Sequence, residues 1–317
     1  MILGLDTSCY TTSMVLVDIQ TQEIRFEKNV LLRVKAGSKG LRQSDGFYQH
    51  VHQLADSFEA LTAIFDVKNL RAIAVSDAPR NVSGSYMPVF NAGVLFARNL
   101  SNALGIPMFT FSHQEGHLMA ALATSGIGRI PHKFYGLHLS GGTTEFLDVD
   151  YSNKIFKIDL IGETLDLNFG QLIDRIGVEM GLDFPCGKAL DEMAGRSQAT
   201  QYKEVPLKVD TAEHACFGFN ISGLENYFKS LIGKVENEEI ARILFNTIAH
   251  ILENCLKGFE SDRAVIISGG VASNCIIRAY LNQYYDQLYF AKPEYSRDNA
   301  YGIALLGREK IFMEGAL

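Results

Sequence analysis

A chain of 317 residues, 47% of them hydrophobic, carries enough apolar material for one large domain or two, which sets disorder aside. Its formal charge of −7 and isoelectric point near 5.6 lack the basic excess of a protein that grips nucleic acid unaided, so an RNA partner would call for a local basic face or a basic partner protein. Five cysteines without a Cys-x-x-Cys pair read as reduced, mostly buried thiols, no apolar run approaches a membrane span, and Asp6 follows Met1 with no basic leader, so a cytoplasmic chain without a membrane partner is expected.

In chain order, Ile2 to Asp18 is an apolar run, a polar turn Asp6-Thr-Ser-Cys-Tyr-Thr-Thr12, and a second apolar run from Met14 to Val17, which is the pattern of a β-hairpin. Gly4, Leu5, Ser8, Thr11, Thr12, Val17 and Asp18 recur at a constant offset as Gly136, Leu137, Ser140, Thr143, Thr144, Val149 and Asp150. An ungapped match across a whole hairpin points to a duplicated lobe, with the junction near Pro131. The expected domains are residues 1–131, to which the C-terminal helix 298–317 returns, and residues 132–297.

Phe47 to Val67 reads as a helix, with Val51, Leu54, Phe58, Leu61 and Phe65 at helical spacing. A short buried strand, Ala72 to Val75, leads into a loop from Ser76 to Ser85. A helix from Pro88 to Leu104 and a strand from Met108 to Phe111 follow, and strands alternating with helices mean an α/β architecture.

That strand delivers the chain to His113-Gln-Glu-Gly-His117. On a helix, residues four apart share a face, so His113 and His117 can share one cation if a third ligand comes from elsewhere; two unrelated surface histidines are the plain alternative. A zinc protease does not fit. Its general-base Glu directly follows the first His, whereas Glu115 is two positions after His113, rotated by about 200° on an ideal helix and pointing away from a shared ion.

In the second half, Ile158 to Ile161 is a strand, Asn168 to Met180 a helix, Gly181 to Ala189 a turn rich in Gly and Pro, and Arg196 to Glu213 an inserted polar loop. Glu238 to Phe259 is the longest amphipathic helix, with Ile240, Ile243, Leu244, Ile251 and Leu252 on one side, and its His250 is assigned no chemistry. A buried strand from Ala264 to Ser268 then runs into Gly269, Gly270 and a helix. Glycines there let the backbone approach a nucleotide and the helix N-terminus offers free N–H groups; a tight turn without ligand is the alternative. Gly141-Gly142 offers a similar phosphate loop, and neither a Walker A pattern nor a dinucleotide fingerprint is present. Asp298, at the start of a last helix from Ala300 to Phe312, is either its cap or the third member of a His/His/Asp set suited to zinc or iron.

Taken together, the two hairpins, His113-Gln-Glu-Gly-His117, Ser140-Gly-Gly-Thr-Thr144, Phe219-Asn-Ile-Ser-Gly-Leu224, Gly269-Gly-Val-Ala-Ser-Asn274 and Asp298-Asn-Ala300 resemble, in type and order over nearly the whole chain, the tRNA threonylcarbamoyladenosine-synthesis family, formerly labelled glycoprotease or O-sialoglycoprotein endopeptidase. The resemblance implies an actin-like ATPase fold of the actin, Hsp70 and sugar-kinase superfamily, two duplicated ribonuclease-H-like lobes around a nucleotide cleft. It implies transfer of a threonylcarbamoyl group from an adenylate to N6 of a tRNA adenosine beside the anticodon. By it His113, His117 and Asp298 hold one divalent transition metal, zinc or iron with magnesium as an alternative, and His138 is a fourth candidate ligand. Leu139, Ser140, Gly141, Gly142 and Thr143 meet the phosphate of an adenine nucleotide or adenylate; Asp174, Gly187, Gly269, Gly270 and Asn274 hold the rest. A hetero- or homodimer with a family paralogue, and tRNA reached through partner proteins, are also implied.

The departures from the family pattern fall on its chemistry. Where the family opens Glu-Thr-Ser-Cys-Asp-Glu-Thr, this chain has Asp6 and, in place of the acidic pair, Tyr10 and Thr11. Leu167 replaces a second Asp, Gln171 a Glu, Thr143 the usual His or Asn, and Asp77-Ala-Pro-Arg80 the usual Ala-Gly-Pro-Gly. Neutral groups remove candidate proton acceptors, so no catalytic residue is named. A non-catalytic nucleotide- and metal-binding scaffold paralogue is the alternative, and a small-molecule kinase of the same superfamily a more distant one.

Overall fold

The computed structural model describes residues 1–8, 10–34, 41–206, 217–296 and 298–315. The chain divides into two compact units, Met1–Ala123 with Asp298–Leu317, and Thr124–Arg297. In order, the elements begin β1 (Ile2–Asp6), β2 (Thr11–Val17), β3 (Ile24–Leu31), α1 (Gln43–Thr62), β4 (Ala72–Ala78), α2 (Phe90–Leu104), β5 (Met108–Ser112) and α3 (His113–Thr124). They continue with β6 (Lys133–Leu139), β7 (Thr144–Asp150), β8 (Lys157–Thr164), α4 (Phe169–Glu179), α5 (Gly187–Ala194), β9 (Phe217–Phe219), α6 (Ser222–Leu231), α7 (Asn237–Leu256), β10 (Val265–Ser268), α8 (Cys275–Leu281), β11 (Leu288–Phe290) and α9 (Tyr301–Met313).

The first sheet runs β3-β2-β1-β4-β5, and the second runs β11-β10-β6-β7-β8-β9. Each starts from an antiparallel hairpin, β1 with β2 or β6 with β7, whose first strand then takes a parallel neighbour, β4 or β10. The pairing agrees to the residue with the repeat in the sequence. Gly4 faces Val15 and Asp6 faces Ser13 in one hairpin; Gly136 faces Leu147 and His138 faces Glu145 in the other. The two lobes are duplicates.

All seven residues of β2 are buried, because helices cover both faces of the first sheet and leave no solvent side on which polar residues could alternate. One core lies between the sheet and helices α1 and α2, with Leu3, Leu5, Met14, Leu16, Leu54, Leu61 and Val75. In the second unit α7 is the central buttress, and Ile240, Leu244, Ile248 and Leu252 pack with Leu137, Phe146, Phe169 and Ile267.

Several expected boundaries move. Strand β3 has no counterpart among the expected elements: as an edge strand its residues alternate half-buried and exposed, so its apolar content is diluted by Arg25, Glu27 and Asn29. Strand β4 runs on through Ser76 and Asp77 to Ala78, where a loop was expected, because β5 continues to pair with it. Helix α1 begins earlier and ends at Thr62, short of Phe65 and Val67. Helix α5 starts inside the turn expected at Gly181 to Ala189. Of the expected loop from Arg196 to Glu213, residues 207–213 lie outside the described ones. Its earlier part is strapped along α7, where Asn246 Nδ2 donates to the carbonyls of Ala199 and Gln201 and Lys203 N donates to Thr247 Oγ1.

Helices α3 and α9 meet backbone to backbone. A Cβ on Gly302 would collide with the Gly116 carbonyl, and one on Gly116 would come within 2.7 Å of Ile303 Cδ1. Gly302→Ala is expected to lower unfolding free energy by about 1–3 kcal/mol, the usual range for overpacking, because the obstacle is backbone that cannot rotate away. Urea denaturation of the purified variant measures this.

Candidate metal centre and phosphate loop

Helix α3 starts with no linker after β5. The Ser112 amide and hydroxyl both donate to Glu115 Oε2 at 2.7 Å, and the Glu115 amide donates back to Ser112 Oγ at 3.2 Å. This reciprocal capping box uses up Glu115, which is buried and is no base for a metal-bound water.

One turn apart, His113 and His117 present their Nε2 atoms to each other at 2.9 Å, and Asp298 Oδ1 lies 3.5 Å from each. Ligand atoms of these three residues all fall within 4.8 Å of one another. Asp298 is free for this because it is not the cap of α9; Asn299 Oδ1 accepts the Tyr301 amide instead.

Behind His113 stands a residue that sequence reasoning passed over. Asp6 Oδ2 accepts a hydrogen bond from His113 Nδ1 at 2.7 Å, while its Oδ1 accepts from Ser76 Oγ at 2.8 Å and Ser8 N at 2.9 Å. Fully buried at the end of β1, Asp6 fixes the ring so that Nε2 faces His117 and Asp298. A buried carboxylate at a strand end was the available signal, but Asp6 registered only as a departure from the family's Glu.

The charges interlock. Burial alone would push His113 down, but the Asp6 charge and hydrogen bonds to Asp298 and Asp6 outweigh it and raise the ring to about 10. Burial likewise works against the Asp298 carboxylate, yet hydrogen bonds from His113 and His117 hold it far below the usual range. Asp6 is held low against burial chiefly by the His113 charge. His117 is pushed down, by burial first and by the neighbouring His113 charge second. In the metal-free chain one proton therefore sits among three lone-pair donors, which is the donor set a divalent cation would take over on displacing it.

Strand β6 ends at a turn from Ser140 to Thr143, closed by Ser140 N donating to Thr143 O at 2.8 Å. The N-terminus of α4 braces it: Asn168 Nδ2 donates to Gly142 O at 2.7 Å, and a Cβ on Gly170 would lie 2.5 Å from Gly141 Cα. Cβ atoms on Gly141 and Gly142 would meet nothing within 4 Å, so that face of the loop is open. Gly269 has a different reason for being glycine. Its φ is +98° and a Cβ would strike the Leu139 carbonyl, so its need arises inside the protein, while Gly270 and Gly187 face open space.

The nucleoside candidates form a second group. Asp174 Oδ1 accepts the Cys186 amide, linking α4 to the start of α5, and burial raises its carboxyl. Asn274 spends its carbonyl oxygen on the Ile277 amide and its NH2 on Asp191 Oδ1. His138 is buried on β6 opposite Glu145, in the second unit.

Strand order, hairpin register and duplication define an actin-like ATPase fold. Among solved structures that share it, the 2-hydroxyisocaproyl-CoA dehydratase activator from Clostridium difficile, with bound ADPNP, is 14% identical, covers 99% of this chain and 97% of its own, and superposes with a TM-score of 0.57. HypF from T. kodakarensis is 13% identical with a TM-score of 0.59, over 99% of this chain and 48% of its own. Residues 45–305 match the family model TsaD, tRNA N6-adenosine threonylcarbamoyltransferase. The chain belongs to that family. Curated proteins of that name from Neorickettsia sennetsu and a Nitratiruptor species are 26% and 29% identical, each over 98% of this chain and over 94% and 93% of their own length.

The His113 ring makes stability depend on pH. A histidine whose folded pKa is raised contributes stability that is complete below about 6.5 and is lost as pH rises towards about 10. In metal-free protein the urea midpoint is expected to fall between pH 6.5 and 10 more steeply for the wild type than for His113→Gln, and parallel curves would contradict the assignment.

Proposed function

We propose that the chain transfers a threonylcarbamoyl group from an adenylate to N6 of a tRNA adenosine next to the anticodon, with one divalent transition metal held by His113, His117 and Asp298. The observation that carries this is the convergence of two imidazole nitrogens and a carboxylate oxygen within 4.8 Å in a member of the threonylcarbamoyltransferase family. Zinc or iron suits that ligand set. When bound, the ion supplies Lewis-acid polarisation and a template for an anionic donor.

The chain's own residues account for binding and orientation. Asp6 holds the His113 ring in its ligating orientation. The open backbone of Gly141 and Gly142, with the Ser140 hydroxyl and the flanking Leu139 and Thr143, receives the phosphate of the adenylate. Asp174 keeps one carboxylate oxygen for a nucleoside donor beyond the one given to Cys186, and Gly187 and Gly270 leave room for close approach. Asn274 serves by holding α5 to α8 through Asp191.

A second reading has its own observation. Tyr10, 42% exposed, and buried Thr11 stand where the family pattern has acidic residues, and Gln171 is engaged in the capping box of α4, so the expected proton acceptors are missing. On this reading the chain is a nucleotide- and metal-binding scaffold that pairs with a family paralogue in a tRNA-modifying complex.

Metal analysis followed by a transfer assay with tRNA, threonylcarbamoyl-adenylate and the chain, alone and with a paralogue, separates the two. One tightly bound metal and product from the chain alone are expected. Metal and nucleotide binding without product would favour the scaffold, and neither binding nor product would sink both. Asp298→Asn should weaken zinc binding by roughly 100-fold or more. Asp6→Asn, which only unlocks the ring, should cost about 10–100-fold, and isothermal titration checks both.

A further inference from the structure

In the second unit the parallel strands β6, β10 and β11 lie side by side and end at one level, with His138 opposite Ser268 and Ile267 opposite Phe290. Their carboxyl ends lead into the Ser140–Thr143 turn, the Gly269–Gly270 turn and Ala291. In α/β sheets this is the edge at which ligands sit. The first two turns abut, since a Cβ on Gly269 would strike the Leu139 carbonyl.

One side chain joins the second turn to the end of β11. Arg278, on α8, donates from Nε to the Ala272 carbonyl at 2.6 Å and from Nη2 to the Ala291 carbonyl at 2.7 Å. Its guanidinium lies 5.0 Å from the centroid of the Phe290 ring. The segment that follows Gly270 and the end of β11 are therefore held by one planar group whose donors form a rigid fork.

This tie carries a charge that the protein leaves unmatched. Arg175, Arg196 and Arg263 of the same unit each meet a carboxylate. Arg278 meets none among the described residues: both of its bonds go to neutral carbonyls, and Nη1 makes no bond. Burial pushes the guanidinium below its ordinary value with no carboxylate to offset it, yet an arginine stays protonated at neutral pH. A part-buried cation bonded only to carbonyls is a costly arrangement, and an anion bound at the same edge of the sheet relieves it.

We propose that Arg278 is a positioning residue for the nucleotide site of the second unit. It ties the Gly269–Gly270 turn to the end of β11 and keeps an unneutralised positive charge there, so that the site favours a phosphorylated ligand over the bare nucleoside. The role rests on the nucleotide reading of these turns given above.

The test uses the full chain and two probes, AMP and adenosine, in isothermal titration. Wild type should bind AMP more tightly than adenosine. Arg278→Met, which keeps most of the stem but neither charge nor donors, should weaken AMP by about tenfold and adenosine by less than about twofold. Arg278→Gln, neutral but still able to donate to one carbonyl, should show the same selective loss and serves if the methionine variant does not fold. Arg278→Lys, which keeps the charge without the fork, should retain the preference for AMP. Equal weakening of both probes, as a purely structural tie would give, or an unchanged AMP affinity in the neutral variants overturns the role and leaves the nucleotide site standing. Wild-type chain that binds neither probe overturns the nucleotide reading and the role together.

Discussion

The hydrogen bond from His113 Nδ1 to Asp6 is the constraint on which the first unit's chemistry depends. It joins the end of β1 to the first residue of α3, and Ser76 on β4 secures the same carboxylate. A carboxylate buried to 1% exposure is costly unless it is paired and bonded, and here both oxygens are in use. The pairing leaves His113 Nε2 facing inward, where His117 and Asp298 meet it. Three segments distant in sequence are thereby tied into one small, highly charged locus, with Gly116 and Gly302 letting α3 and α9 approach closely enough to form it.

Duplication explains why the two units differ in what they can do. The ladder positions that hold Asp6 and Ser13 in the first hairpin hold His138 and Glu145 in the second. The turn beyond them diverges as well. In the first unit it carries Tyr10 and Thr11 and its neighbours close over a buried polar network; in the second it carries Gly141 and Gly142, with backbone open to a ligand. One scaffold thus carries a His/His/Asp cluster in its first copy and an open glycine turn in its second.

Much of this was legible in the sequence, for identifiable reasons. The constant offset between Gly4 and Gly136 exposed the duplication because strand register preserves spacing exactly. The pair His113 and His117 could be read because helical period sets which side chains share a face. Asp298 needed the family resemblance, since local chemistry allowed a helix cap; only three-dimensional structure shows that the first helical amide, of Tyr301, goes to Asn299 Oδ1 and not to Asp298. Asp6 was missed because its meaning lies in a partner 107 positions away along the chain. Strand β3 was missed because an edge strand shares its pattern with polar loops. Gly269 reads in the sequence as a ligand-binding signal, and the structure adds an internal need for glycine there, since a Cβ would strike the Leu139 carbonyl.

The central claim is that Asp6, His113, His117 and Asp298 form a preorganised cation site. X-ray absorption spectroscopy of the zinc-loaded chain tests it most directly. Two imidazole nitrogens and at least one carboxylate oxygen in the inner sphere are predicted, with one imidazole contribution lost in His117→Asn. A sulfur-rich inner sphere, or a spectrum unchanged by that substitution, would contradict it.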